Sequence, residues 1–231
     1  MTSEFVHLHN HSDYSLLDGA QKIDQLVNTI DDLNMDAVAL TEHGNMFSVL
    51  PYYKQAKKAG IKPIIGCEIY VAVGSRFEKK TRSDGGWGNN HLILLAQNFT
   101  GYKNLMKLVT AGYLEGFYYR PRIDMDLLRE YSEGLICMSA CLKGVVPEKM
   151  LKGDYEGARK EALLFSEIFQ DRYYLEIQNH GIPEEEQNLK NMKKLSQDLN
   201  LPLVCTNDAH YAKKEHWEAH DIHICLGTGK E

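Results

Sequence analysis

His9-Asn10-His11 is the first of four short polar segments, each of which stands at or just past the end of an apolar, strand-like run. The other three segments are Thr41-Glu42-His43-Gly44, Gly66-Cys67-Glu68 and Asn207-Asp208-Ala209-His210. Barrel-type and open α/β proteins build their active sites at strand ends. Because the segments bring His, Asp, Glu and Cys from distant parts of the chain, they indicate a metal site, and such sites usually catalyse hydrolysis.

Apolar runs with the character of strands alternate with stretches of helical spacing along most of the chain. The predicted strands are residues 5–11, 36–41, 62–73, 91–96, 134–140, 172–178 and 201–207. The predicted helices are residues 21–33, 46–59, 102–116, 144–169 (as one helix or two), 184–199 and 213–226. Such alternation predicts an α/β fold with a parallel sheet. Seven strands with candidate ligands at their ends favour a closed or nearly closed barrel, and an open doubly wound sheet is the alternative.

Length and composition favour one globular domain. The chain has 231 residues, of which 43% are hydrophobic, and we therefore expect a single core and a single domain over residues 1–231. No apolar run approaches the roughly 20 residues of a membrane span, so no membrane partner is expected. The five cysteines are odd in number and lack C-x-x-C spacing, which argues against a disulfide framework or a zinc ribbon. A cytoplasmic location is the prediction.

The charge of the chain limits how it could meet nucleic acid. The formal net charge is -6, whereas a surface that coats nucleic acid would be basic. Bound metal ions supply positive charge of their own, so a local phosphate site is compatible with an acidic chain.

The spacing of His9 and His11 suits metal binding. Side chains alternate along a strand with a period of two, so both imidazoles would point to one face. By itself this spacing is not specific. Together with the other three segments, all in register with strand ends, it predicts a metal centre.

Many longer segments resemble one known family, the PHP (polymerase and histidinol phosphatase) domains. Within it they are similar to the polymerase branch, the N-terminal domains of bacterial replicative DNA polymerase III alpha subunits, and the resemblance covers essentially the whole chain. The segments that carry it are Phe5-Val-His-Leu-His-Asn-His-Ser, Ser15-Leu-Leu-Asp-Gly, Leu40-Thr-Glu-His-Gly-Asn, Gly60-Ile-Lys-Pro-Ile-Ile-Gly-Cys-Glu, Phe99-Thr-Gly-Tyr-Lys-Asn-Leu, Tyr113-Leu-Glu-Gly-Phe-Tyr, Pro121-Arg-Ile-Asp, Leu175-Glu-Ile-Gln-Asn-His-Gly and Thr206-Asn-Asp-Ala-His-Tyr.

The resemblance implies a distorted seven-stranded (β/α)7 TIM-like barrel of parallel strands that holds three divalent metals. Imidazoles with one thiolate favour zinc, and the carboxylates would also accept manganese. The implied ligands are His9, His11, Asp18, His43, Glu68, His91, Cys141, Asp208 and His210. Every one of these positions holds a residue that can bind metal. Three ligands also have ordinary alternatives: Asp18 could cap a helix, Cys141 could be a buried apolar thiol, and His91 could be a core histidine.

The resemblance further implies a metal-dependent phosphoesterase that works as a 3'-5' proofreading exonuclease on the 3' end of single-stranded DNA. His9 and Asp208 would act in catalysis through the metal centre, which would position the phosphate and activate water, and no separate side-chain base is assigned. The chain ends without a natural stop after residues 213–226, so we expect a fragment of a longer polymerase. Its partners would be the remainder of that polymerase and an exonuclease subunit.

Two other functions stay open at this point. In the first, the metals hold the domain together as a scaffold for the polymerase core or for a separate exonuclease subunit. In the second, the chain is a small-molecule phosphatase of the histidinol phosphatase type. The segments of the polymerase branch argue against this second alternative.

Three further residues are candidates for substrate binding. Arg120 and Arg122 could contact phosphate, with Tyr118 and Tyr119 beside them to stack on bases, although surface ion pairs are the alternative. His180 follows a predicted strand and could contact substrate as well. Residues 74–90 carry glycines and basic residues, Arg82 among them, and we expect a mobile loop beside the site.

Overall fold

The computed structural model describes residues 5–80 and 88–229 of the chain. The strands are β1 Ala37–Leu40, β2 Lys62–Ala72, β3 Asn89–Ala96, β4 Arg122–Ile123, β5 Leu135–Met138, β6 Tyr173–Ile177 and β7 Leu203–Cys205. The α-helices are α1 Ile23–Asp32, α2 Val49–Lys58, α3 Phe99–Leu114, α4 Met125–Glu130, α5 Val145–Leu151, α6 Tyr155–Phe169, α7 Pro183–Leu199 and α8 Trp217–Thr228. The sequence pattern missed β4 and α4, which are too short to show a period.

The strands form a curled, mostly parallel sheet in the order β1-β2-β3-β5-β6-β7, with β4 paired to the end of β2. The prediction of parallel strands is wrong for β3, which runs antiparallel to both β2 and β5. A parallel return needs a crossover connection, usually a helix, whereas an antiparallel return does not. The sequence shows no helical pattern between β2 and β3, which fits the reversed direction of β3.

The N-terminal segment differs from the predicted strand 5–11. Its residues make isolated bridges, from His7 to Val38 of β1 and from Asn10 to Ala209, which follows β7. The Ala39 amide donates to the His7 carbonyl at 2.8 Å, and the His11 amide donates to the Ala209 carbonyl at 2.9 Å. The segment therefore links the two ends of the curled sheet without a continuous ladder, and the α/β architecture is shown while a full TIM-like barrel is not.

The two faces of the sheet have different surroundings. Outward-facing side chains such as Cys67 and Ile69 pack against the helices in the largest hydrophobic cluster. Inward-facing Ile93 and Met138 form a smaller apolar cluster, which Ile64 of β2 joins. Because strand side chains alternate, Glu68 points to the same inner side as Ile64. The inner face is thus apolar at one end, and Glu68 of β2 places a carboxylate at the other end.

Helix α1 shows how the pattern of apolar residues positions the outer layer. Its buried residues Ile23, Leu26, Val27 and Ile30 recur at helical spacing and share a hydrophobic cluster with β1 and α2. Among the residues that the structure describes, no helix combines the length and the apolar character needed to cross a membrane.

Arg122 of β4, one of the residues predicted to bind substrate, is part of the folded framework. Its side chain is 1% exposed. The guanidinium donates from Nε to the Gly116 carbonyl at 3.0 Å and from Nη2 to the carbonyls of Arg76 and Glu78 at 3.2 and 2.9 Å. Nε and Nη2 of Arg122 are thus engaged with the backbone of the chain itself. Arg122 ties the residues after β2 to β4.

We expect Arg122→Ala to lower the free energy of unfolding by about 2 kcal/mol or more, because three carbonyl groups lose their partner. Urea denaturation measures this change. The matched control is Arg120→Ala, whose side chain is exposed and whose loss should cost within about 0.5 kcal/mol. Equal stability of the two variants would contradict the structural role of Arg122.

Candidate metal centre

All nine side chains predicted as metal ligands come together at one end of the inner face. Ligand atoms of His9, His11, Glu68 and Asp208 all lie within 4.8 Å of one another. His11 also forms a second group of the same compactness, whose other members are His43 and His210. The two groups therefore meet at His11, which belongs to both.

Glu68 lies at the centre of this arrangement and is fully buried. Its Oε2 atom is 2.9 Å from His9 Nε2, and its Oε1 atom is 3.2 Å from His43 Nδ1. His91 Nδ1 also contacts Oε1. Cys141 stands at the edge of the cluster, with its sulfur 3.9 Å from His91 Nδ1. One carboxylate thus joins side chains from the N-terminal segment, the residues after β1, and β3.

Asp18 belongs to the same cluster and does not cap a helix. Its Oδ2 atom lies 3.0 Å from His43 Nε2 and 3.9 Å from His210 Nε2. Helix α1 has its N-cap at Lys22, four residues later. The loop that carries Asp18 is held by α8, because His220 Nε2 donates to the Asp18 carbonyl at 2.8 Å.

The donor atoms fit divalent cations. Five buried side-chain atoms in this cluster complete no hydrogen bond of good geometry within the described protein: His11 Nε2, Asp18 Oδ1, His43 Nδ1, Glu68 Oε1 and Asp208 Oδ1. All but Asp18 Oδ1 face one another across short imidazole–carboxylate contacts. Buried polar atoms are nearly always satisfied, so a group of unsatisfied ones points to a ligand. Imidazole nitrogen with carboxylate oxygen is a donor set that zinc and manganese accept.

The charges of the cluster balance one another. Burial alone would raise the pKa of Glu68, but the imidazoles of His91 and His43 hold that pKa well below its usual range. Burial likewise opposes a charge on His43, and the carboxylates of Glu68 and Asp18 raise the pKa of His43 to about 10. Protonated imidazoles therefore compensate the buried carboxylates, which is the role that a divalent cation would take over.

The backbone is tightly constrained beside the cluster. Gly44, directly after His43, has a φ of +63°, and a Cβ atom there would lie 2.7 Å from Pro121 Cγ and 2.9 Å from Tyr70 Cε2. Two residues with side chains also adopt left-handed conformations, Ala140 at +65° and Asp208 at +46°. Such conformations cost free energy and persist where the surrounding contacts enforce them, often at functional sites.

Glu176 of β6 is a residue that the sequence analysis did not single out. Its Oε1 atom accepts from His9 Nδ1 at 2.7 Å, so His9 is held from the side opposite Glu68. The Ala140 amide donates to Oε2 at 3.0 Å, and the Gln178 amide and Thr206 hydroxyl donate to Oε1. The sequence could have indicated Glu176, because the alternation of side chains along β6 places this carboxylate on the inner face of the sheet.

Glu42 lies in the second of the four polar segments but is not one of the nine predicted ligands, and it supports the loop of Asp18. This buried carboxylate accepts from the Ser12 amide at 3.1 Å and from the Ser15 hydroxyl at 2.5 Å. The Ser12 hydroxyl also donates to it. Its oxygens are therefore engaged with residues 12–15, and Glu42 orders the start of the loop that leads to Asp18.

His180, which was predicted to contact substrate, has contacts within the fold at both ring nitrogens. Its Nδ1 atom lies 2.6 Å from Glu185 Oε1, and its Nε2 atom donates to the Asn207 carbonyl at 2.7 Å. Although burial disfavours a charged ring, Glu185 raises the pKa of His180. Because both ring nitrogens have partners, His180 connects α7 to the residue before Asp208.

Arg120, the other arginine predicted to contact phosphate, is exposed. It lines an open cleft of about 820 Å³, together with Asp18, His43 and His91 of the metal cluster. Asn89 and Asn90 form part of the wall, at the end of the predicted loop 74–90. Residues 81–87 of that loop, which include Arg82, lie outside the described residues. The cleft therefore gives an approach from the surface to the metal cluster.

Comparisons with known proteins agree with this architecture. The family model described as the PHP domain matches residues 7–180. DNA polymerase III subunit alpha of Borreliella burgdorferi is 52% identical over 98% of this chain and 20% of its own length. The corresponding subunit of Treponema pallidum is 48% identical over 98% of this chain and 19% of its own length. The chain thus spans about one fifth of the length of these relatives.

A solved structure with the same fold is that of a candidate metal-dependent phosphoesterase from Bifidobacterium adolescentis. It superposes with a TM-score of 0.51 at 11% identity, and the match covers 91% of this chain and 89% of that protein. At this identity the likeness concerns the fold alone. The family model, in contrast, extends over the N-terminal segment, the strands β1 to β6 and most of the clustered side chains, and on this ground the chain belongs to the PHP domain family.

Proposed function

We propose that this chain is a metal-dependent phosphodiesterase that removes nucleotides from the 3' end of single-stranded DNA, as a 3'-5' proofreading exonuclease. The observation that carries the proposal is the convergence of nine potential ligands, five of which have a buried atom without a hydrogen bond, beside an open cleft. Membership of the PHP family supports phosphoester hydrolysis as the reaction class.

The ligands in this proposal are His9, His11, Asp18, His43, Glu68, His91, Cys141, Asp208 and His210. We propose three divalent ions, zinc and/or manganese, because imidazoles and a thiol suit zinc while carboxylates also accept manganese. When bound, such ions polarise phosphoryl oxygens and lower the pKa of water. His9 and Asp208 are proposed to contribute to catalysis through this centre.

The residues of the chain have distinct parts in this reaction. Glu68 belongs to one group of ligands and contacts His43 of the other, so its two oxygens hold the groups together. Glu176 orients His9 by accepting from its Nδ1 atom, which leaves Nε2 directed toward Glu68 and Asp208. Arg120, at the wall of the cleft, would contact a phosphate of the strand. Asp18 and His43 belong to the metal cluster and also line the cleft.

The relatives suggest the setting in which the chain works. Both are DNA polymerase III alpha subunits about five times longer than this chain. We therefore propose that it functions in the cytoplasm as one domain of such a polymerase, with DNA and the remainder of the polymerase as partners. A separate exonuclease subunit is a further proposed partner.

A scaffold without its own activity is the second candidate function. It is favoured by the acidic net charge of -6 and by the way the cluster ties residues 9–11 to β2 and to the loop after β7. Metal binding would then contribute mainly to the folding free energy. Hydrolysis and stability must be measured together to separate the two functions.

With manganese or zinc added, the chain should shorten a 5'-labelled single-stranded oligonucleotide stepwise from its 3' end. Gel electrophoresis resolves the products. His9→Ala combined with Asp208→Ala should abolish the shortening, because both side chains belong to one group of proposed ligands.

The matched control replaces the same two residue types away from the cluster, with Asp32→Ala and His216→Ala, and should keep the activity of the original chain. If the His9, Asp208 variant still shortened the strand, a contaminating nuclease would be the explanation. If only small phosphate monoesters were cleaved, the phosphatase alternative would replace the exonuclease.

Removal of metal should destabilise the chain. A ligand at one hundred times its Kd stabilises a protein by about 2.7 kcal/mol, so a chelator should lower the melting temperature by several degrees. The melting temperature of the Glu68→Gln variant should change little when chelator is added, because the variant lacks the central carboxylate of the metal cluster. A scaffold would show the same shift without hydrolysis, whereas an unchanged melting temperature would argue against any metal centre.

Glu176→Ala should weaken metal binding about 10- to 100-fold, the range found when a residue behind a ligand is removed. Competition with a coloured chelator measures the affinity. Glu176→Gln should keep much of it, since an amide oxygen can still accept from His9 Nδ1. A Glu176→Ala variant with unaltered affinity would show that His9 needs no such support.

A further inference from the structure

The cleft beside the metal cluster has a second wall that the proposed hydrolysis does not use. Three rings, Phe47, Tyr113 and Phe117, line it and are here called the aromatic ridge. Their exposed fractions are 65%, 38% and 47%. Phe47 precedes α2, Tyr113 lies near the end of α3, and Phe117 follows that helix. Two separate parts of the chain thus present large apolar rings at one opening.

The ridge is continuous. The ring centroids of Phe47 and Tyr113 are 6.2 Å apart, and those of Tyr113 and Phe117 are also 6.2 Å apart, with an interplanar angle of 26° for the second pair. Single exposed aromatic residues are common on proteins, but a contiguous row in a cleft is a mark of a binding site.

Tyr70 connects the metal cluster to positive charge in the cleft. Its ring centroid lies 5.2 Å from that of His91 and 6.5 Å from that of His43. The Arg120 guanidinium lies 5.9 Å from the Tyr70 ring. Lys143 lines the cleft as well and has an exposed side chain. The cleft therefore combines potential metal ligands, a cationic wall and flat apolar faces.

We propose that the aromatic ridge binds the bases of an unpaired nucleic-acid strand whose phosphodiester lies at the metal cluster. This inference rests on the proposed function and adds the surface that would hold the bases of its substrate. Phosphates match the cations, and bases match the rings, because every base has a flat π-face that stacks on an aromatic side chain. Only a ligand with both groups would occupy both walls.

The ridge would also select among DNA ends. Bases in a duplex are already paired and stacked on one another, so their faces are not available to protein rings without unstacking. A frayed or mismatched end offers free bases, whereas a small phosphate monoester offers none. The site would therefore favour single strands with little dependence on their sequence.

The test compares two strands of equal length that differ only in their bases. One is a 5'-fluorescein-labelled oligothymidine, and the other is the same phosphodiester backbone with abasic residues. Both strands carry phosphorothioate linkages that resist hydrolysis, so fluorescence anisotropy with the metal-loaded 231-residue chain measures binding without cleavage. Stacking contributes about tenfold per base, so the wild type should bind oligothymidine at least about tenfold more tightly.

The ridge variant is Phe47→Ala with Phe117→Ala, and it should bind both strands with the weaker affinity. Phe99→Ala is the matched control, because Phe99 is 71% exposed and stands beside Tyr102 at the opposite end of α3. It should keep the preference for oligothymidine. Phe117→Trp, which retains a ring, should keep the preference too, and thermal melts verify that all variants are folded.

Each other outcome has a defined meaning. Equal binding of both strands by the wild type, or an unchanged preference in the folded ridge variant, would overturn the proposal. In the latter case, weaker association of the ridge variant with a longer polymerase fragment would identify the ridge as a protein-docking surface. Hydrolysis in manganese is measured separately. Base-dependent binding without cleavage would refute the exonuclease and support base binding by the aromatic ridge. Cleavage without base preference would support the exonuclease and refute base binding by the ridge.

Discussion

The arrangement of the whole site depends on compensating one buried carboxylate. Glu68 has no contact with solvent, and a buried charge costs several kcal/mol unless partners balance it. Its partners are imidazoles from the N-terminal segment, from the end of β1 and from β3. These segments must therefore meet at the end of β2. The same requirement explains why the inner face of the sheet is apolar at one end and densely ionic at the other.

A further layer of residues holds the ligand-bearing segments in place. Glu176 fixes the ring of His9, and Glu42 orders the loop that leads to Asp18. His180 reaches the carbonyl group beside Asp208, whose backbone is in a left-handed conformation. Loops have few contacts of their own, so precise ligand positions require supports of this kind. The supports are carboxylates and an imidazole that come from other elements of the fold.

The cleft reconciles an acidic protein with a proposed nucleic-acid substrate. The net charge of -6 gives the chain little general attraction for DNA. Affinity would have to come from a few local groups: cations at the metal cluster, Arg120 on the wall, and the rings of the aromatic ridge. Such a site would recognise a strand end and not a long duplex. In the proposed polymerase setting, surfaces outside this chain would have to hold the rest of the DNA.

The sequence by itself determined the fold class, most of the helices and the residue types of the candidate site. Apolar periodicity reports which face of an element is buried, so α1 and the buried strands were predictable, and the resemblance named all nine residues that now cluster. Only the tertiary structure decided the antiparallel direction of β3, the bridging path of residues 5–11, the burial of Arg122 and the roles of Glu176 and His180. Each of these depends on partners distant in sequence: Glu176 contacts His9 across 167 positions, and Arg122 contacts Glu78 across 44. A local sequence pattern indicates whether a side chain will be buried or charged. The residue that this side chain contacts is determined only when the chain packs into its tertiary structure.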